Sequence, residues 1–154
     1  MPRSNAHNTV RVTFAFAHAS AIASSAYIKR IAQQILAVLQ IQHKTVELVL
    51  VSAQKMRGIN RTYRHKDCAT NVLSFELADA DDPNFLGEIY VSPAVVIREA
   101  RTLGVPPKDW LARLIVHGIL HLVGYDHITP RDERRMVRKE RELLSLLNIK
   151  IVVE

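Results

Sequence analysis

Val10, Val12, Phe14 and Phe16 alternate with Arg11, Thr13 and Ala15, the period of two that a half-buried strand requires, and predict a strand over about 10–17. The surrounding run RVTFAFAHASAIASSA also has the apolar body and A-x-A end of a secretory signal, but the alternation favours the strand. The period then becomes helical. Ile28, Ile31, Ile35, Val38 and Leu39 fall on one face and predict a helix over about 25–40. Thr45 to Val51 is β-branched and apolar, a buried strand, and Gln54 to Tyr63 reads as a short basic helix. Asn71 to Leu77 and Gly87 to Val91 read as two further strands, parted by an acidic loop with Asp79, Asp81, Asp82, Pro83 and Asn84. Ser92-Pro93 is a cap-and-proline signal opening a helix to about Leu103. Pro106-Pro107 starts another over about 107–123. Thr129-Pro130 repeats the signal for a last helix to about Leu147, with Met136, Glu140, Leu143, Leu144 and Leu147 on one stripe. Strands and helices are thus both expected, in one domain over 1–154.

The helix over 107–123 is apolar nearly all round, through Trp110, Leu111, Leu114, Ile115, Val116, Ile119, Leu120 and Leu122, and so is expected to be buried on most faces. Its end carries the run HGILHLVGYDH. His117 and His121 stand at i and i+4, which places both rings on one side of a helix, about 6 Å apart along its axis. Gly124 can take a left-handed conformation that ends the helix and turns His127 back towards them. Three neutral nitrogens with an open fourth position describe a catalytic metal site, with zinc the default and nickel, copper or iron also suited to imidazole. A histidine pair on an apolar helix is often mere packing; the third histidine after the turn favours ligation.

Composition narrows the class. Hydrophobic content of 48% and charged content of 23% are ordinary for a soluble globular chain. The single cysteine, Cys68, cannot form an internal disulfide, which points to a reducing, cytoplasmic setting. No apolar run approaches a membrane span, so no membrane partner is expected. The net charge of +6 is unevenly spread. Residues 1–66 hold ten Lys or Arg against Glu47 alone, whereas residues 67–154 hold eleven against fourteen acids. A basic half suggests a polyanionic partner, nucleic acid before membrane, unless the charges only keep the chain soluble.

HGILHLVGYDH resembles the signature of the YbeY family of metal-dependent endoribonucleases that mature ribosomal RNA in bacteria. Two further blocks agree: Ile59-Asn60-Arg61-Thr62-Tyr63-Arg64 with Lys66-Asp67 and Thr70-Asn71-Val72-Leu73-Ser74-Phe75, then Leu86-Gly87-Glu88-Ile89. The resemblance implies an α/β (α+β) fold, a small mixed four-stranded sheet packed with about five helices, and a metal helix similar to that of zinc metalloproteases. It implies metal ligands at His117, His121 and His127 and a functional Arg64. It also implies single-stranded ribosomal RNA as substrate, as in late 16S rRNA 3′-end maturation and ribosome quality control. Ribosomal particles and GTPase assembly factors are the partners that go with it. The chain departs from the family's usual proline at Ala69 and at Glu76, which puts the local shape of the expected cleft wall in question.

In a His-Glu-x-x-His protease the residue after the first histidine is the general base; here it is Gly118, which moves no proton. Chemistry then leans on the metal or on a base from elsewhere. Arg64 offers a planar fork to a phosphate, or else forms a surface salt bridge. Arg61, Arg57 and Lys55 would hold flanking phosphates. Asp126 either orients a ligating imidazole or caps the turn. His7, His18, His43 and His65 have no partner at ligand spacing and read as surface residues; Cys68 reads as a bystander. Arg134, Arg135 and Arg138 alternate with Glu133, Glu140 and Glu142 as a solvated helix face. A zinc-dependent peptidase and a non-catalytic, metal-stabilised assembly factor remain as alternatives to the nuclease.

Overall fold

The computed structural model describes residues 7–76 and 81–151. In chain order the elements are β1 (Thr9–Phe14), α1 (Ser25–Val38), β2 (Thr45–Leu50), α2 (Ala53–Arg64), β3 (Val72–Phe75), β4 (Phe85–Val91), α3 (Pro93–Leu103), α4 (Pro107–Leu122) and α5 (Pro130–Leu146). The four strands form one sheet in the order β1-β2-β4-β3. β1, β2 and β4 run parallel, and β3 pairs antiparallel to β4 at the edge. The sheet is therefore mixed, as expected.

Alternation along the strands separates two apolar layers. Val46, Leu48 and Leu50 of β2 and Ile89 and Val91 of β4 join the main core with α1, α4 and α5. Val49, Val51, Leu73, Phe75 and Tyr90 face the other way and pack with Met56 and Ile59 of α2. The basic helix and the histidine helix thus lie on opposite faces, and both reach the short edge strand β3. Nine residues of α4 are buried, from Leu111 to Leu122, so its apolar circumference is used as a central core helix.

Gly87 lies where the β2–β4 register slips by one residue, Thr45 facing Phe85 and Val46 facing Gly87. Its φ is +148°, and a Cβ there would sit 2.1 Å from the Phe75 carbonyl oxygen. Only glycine lets β3 approach β4 at this bulge.

Several boundaries differ from the sequence expectation. β1 stops at Phe14, because its last partner is Leu50, the end of β2. Val38 is 38% exposed and falls off the buried stripe of α1. Ser92 has the extended backbone of an N-cap, yet its side chain makes no cap bond. Its N–H remains tied to the Asn71 carbonyl at 3.0 Å and the residue is fully buried. Thr129 caps α5 as expected, accepting from the Asp132 N–H at 3.1 Å. The expected strand end at Leu77 and the acid Asp79 lie outside the described residues.

Candidate metal centre and cleft

α4 ends at Leu122, with Val123 as its C-cap. Gly124 follows with φ +101°, its N–H bonded to the His121 carbonyl at 3.2 Å, and the Tyr125 N–H reaches the Leu120 carbonyl at 2.9 Å. This turn returns the chain over the helix end. His117, His121 and His127 converge there, each offering one nitrogen, and these atoms lie within 4.8 Å of one another. Nε2 of His117 and Nε2 of His121 are 3.1 Å apart. Ligands on a tetrahedral ion with bonds of about 2.0–2.1 Å would be roughly 3.3 Å apart, so the pair is already near ligating separation.

Protonation fits the same use. Burial, with the neighbouring His117 and His127, pushes His121 down to about 4, so its ring is neutral at pH 7. His117 Nδ1 is taken by the Glu140 carboxylate at 2.5 Å. The Nε2 atoms of His117 and His121 face each other, a donor set that suits a cation between them.

The triad opens into a cleft of about 800 Å³, whose other walls include Asn60 and Arg64 of α2, Ser74 and Phe75 of β3 and the loop through Cys68. Ala69 and Glu76 also line it. Arg64 Nη2 donates to the Ser74 carbonyl at 3.3 Å, and its guanidinium lies 5.6 Å from the centre of the Phe75 ring. Asn60, 3% exposed, holds the loop by donating from Nδ2 to the Cys68 carbonyl at 2.9 Å. Cys68 is exposed, as are His7, His18, His43 and His65.

The remaining candidates are distributed less simply. Arg57 is engaged by Asp67 through two bonds of 2.8 and 2.9 Å, and Arg61 stands 3.8 Å from the same carboxylate. Lys55 and Arg61 line a separate depression on the outer side of α2 with Tyr63. Asp126 accepts from the Ile128 N–H at 3.2 Å, an Asx turn that shapes the loop before α5. The carboxylate beside a ring of the triad is Glu140, which the charge alternation had placed on a solvated face. It is 1% exposed. The sequence held one signal for this, a charged residue on the stripe of Met136, Leu143 and Leu144.

Gly118 faces the sheet. A Cβ on it would meet Ile89 Cγ2 at 3.0 Å and Ser74 Oγ at 3.1 Å, and Ser74 Oγ donates to the Gly118 carbonyl at 3.2 Å. A side chain at this position would have to push Ile89 or Ser74 aside.

The model of the family described as Endoribonuclease YbeY matches residues 14–148. The chain belongs to that family. An Endoribonuclease YbeY of Geobacter metallireducens is 36% identical over 126 residues, covering 78% of this chain and 84% of that protein. One of Pseudomonas putida is 46% identical over 101 residues, 64% of each chain. The solution structure of TM1509 from Thermotoga maritima superposes with a TM-score of 0.59 at 25% identity, covering 91% of this chain and 92% of that one. Membership makes the protein an endoribonuclease, a hydrolase that cuts RNA internally, and the metal dependence and ribosomal RNA processing expected from the sequence go with the family.

Proposed function

We propose that this endoribonuclease acts as a single domain over 1–154 on single-stranded ribosomal RNA, with one zinc held by His117, His121 and His127 and Arg64 facing the scissile phosphate. The observation that carries the reading is that the three nitrogens and the Arg64 guanidinium border one cleft. A divalent ion bound there supplies Lewis acidity towards a phosphoryl oxygen and makes hydroxide available near neutral pH. The chain's own residues do the rest. Arg64, held by the Ser74 carbonyl and the Phe75 ring, presents a fixed positive charge to the phosphate as negative charge builds on it. Lys55, Arg57 and Arg61 meet flanking phosphates along α2, which gives affinity without base preference. Zinc suits an all-nitrogen set, and nickel is the main competitor.

Late 16S rRNA 3′-end processing, ribosomal particles and GTPase assembly factors as partners, and a cytoplasmic site of action belong to the same proposal. Among the described residues no helix is long and apolar enough to cross a membrane. The peptidase alternative loses support from the closed environment of Gly118.

The test is RNA digestion by wild-type, metal-stripped and Arg64→Ala protein, each preparation checked for contaminating nuclease. Arg64→Ala is expected to lose about 10²–10³-fold in cleavage while keeping its metal. Undiminished cleavage removes the role of Arg64. Metal-stripped protein that stays folded but inactive excludes the purely structural metal of a non-catalytic assembly factor.

A further inference from the structure

We infer that Glu140 is the positioning residue for the metal centre, setting the tautomer and orientation of His117. The inference rests on reading the triad as a metal site. Glu140 sits on α5, 23 residues from its partner in sequence, and is 1% exposed among Met136, Leu143 and Leu144. An isolated carboxylate in such surroundings is costly, and an apolar side chain would pack the position at least as well. Its two oxygens are nonetheless both used: Oε1 faces His117 Nδ1 at 2.5 Å, and Oε2 accepts from Arg113 Nη2 at 3.4 Å. A carboxylate accepts, so His117 Nδ1 carries the proton of this bond, which leaves Nε2, the nitrogen that faces His121, as the atom the ring can offer to a metal.

The support extends further. The Arg113 guanidinium lies 5.0 Å from the centre of the Trp110 ring. Trp110 Nε1 donates to Glu99 at 3.2 Å, and Glu99 accepts from Asn71 Nδ2 at 2.9 Å. Asn71 in turn accepts from the Val72 N–H at 2.7 Å, where β3 begins. One network therefore connects the imidazole to α5, α3 and the strand that forms the opposite cleft wall. Glu140 is absent from the cleft lining and lies behind the ring, so it touches neither substrate nor reacting atoms. Its work is to pre-orient a ligand, which in metal sites changes affinity by about 10–100-fold.

Chelator-competition titrations with zinc on metal-free wild-type, Glu140→Gln, Glu140→Ala and Leu143→Ala protein test this, alongside melting curves without metal. The expected result is one zinc per wild-type chain, about tenfold weaker binding in Glu140→Gln and about 100-fold in Glu140→Ala. Leu143→Ala, one turn along the same buried face, should lower the melting temperature and leave zinc affinity within about twofold, since it only opens a cavity. If the Glu140 variants fail to fold, long-range ¹H–¹⁵N spectra of metal-free wild type read the tautomer directly, with Nδ1–H expected on His117. Wild-type affinity in both Glu140 variants, or an Nε2–H tautomer on His117, overturns the inference and leaves the metal site standing. A wild-type chain that takes up no zinc overturns both.

Discussion

Ser74 Oγ donates to the Gly118 carbonyl at 3.2 Å, so the strand forming one wall of the cleft is fastened directly to the helix that bears two of the histidines. Ile89 closes the remaining space at Gly118. Gly118→Glu, which restores the protease-like His-Glu-x-x-His pattern, should destabilise the fold by about 3 kcal/mol or more through overpacking, and should confer no peptide cleavage. Denaturant melts and a peptide-library digest check this. A stable variant that cuts peptides would return the peptidase reading to favour.

Gly87→Ala tests the bulge. Its Cβ would meet backbone, the Phe75 carbonyl oxygen, which no rotamer change can move, and its φ of +148° disfavours a side chain. A loss of about 3 kcal/mol or more is expected in urea unfolding, from strain and clash together. Gly58, with nothing within 4 Å of a Cβ, is the control; Gly58→Ala should be neutral or stabilising.

The helices and strands were legible because each kept one period long enough to show, and the histidine spacing was legible because it is local. Strand order was not, since β2 pairs with β1 and β4 across long sequence separations that periodicity does not encode. Phe16 misled for a simple reason: the alternation continues past the point where β2 ends and no ladder partner remains. Glu140 obeyed two patterns at once, a place on the apolar stripe and a place in an alternating charge run. Only the fold, by bringing His117 against it, decides between them.

The pH response of metal-free protein follows from His121. Its folded value, about 4, lies below the ordinary 6.5, so between these limits the unfolded chain binds more protons than the folded one. Stability should therefore fall as pH drops from about 6.5 to about 4 and level off below. Melting temperatures across that window, compared with His121→Gln, check the sign; the variant should show a shallower slope. Equal slopes would assign the effect to other groups.

Asp67 restrains the basic helix. It holds Arg57 by two short bonds and draws Arg61 towards it, and all three side chains are more than half exposed. Asp67→Asn should leave the melting temperature essentially unchanged, because such exposed pairs contribute little. It should tighten single-stranded RNA binding and steepen its salt dependence by about 0.7 in log–log slope for each phosphate newly contacted. Filter binding over a salt series measures both, and an unchanged slope would show that neither arginine reaches the RNA.

The three imidazoles occupy a span of only eleven consecutive positions, from His117 to His127. A denatured chain keeps such neighbours close, so it too can chelate, and an ion captured during refolding would nucleate the turn at Gly124. Added zinc should then raise thermal resistance by less than native-state affinity alone implies, because part of that affinity is shared with the unfolded ensemble.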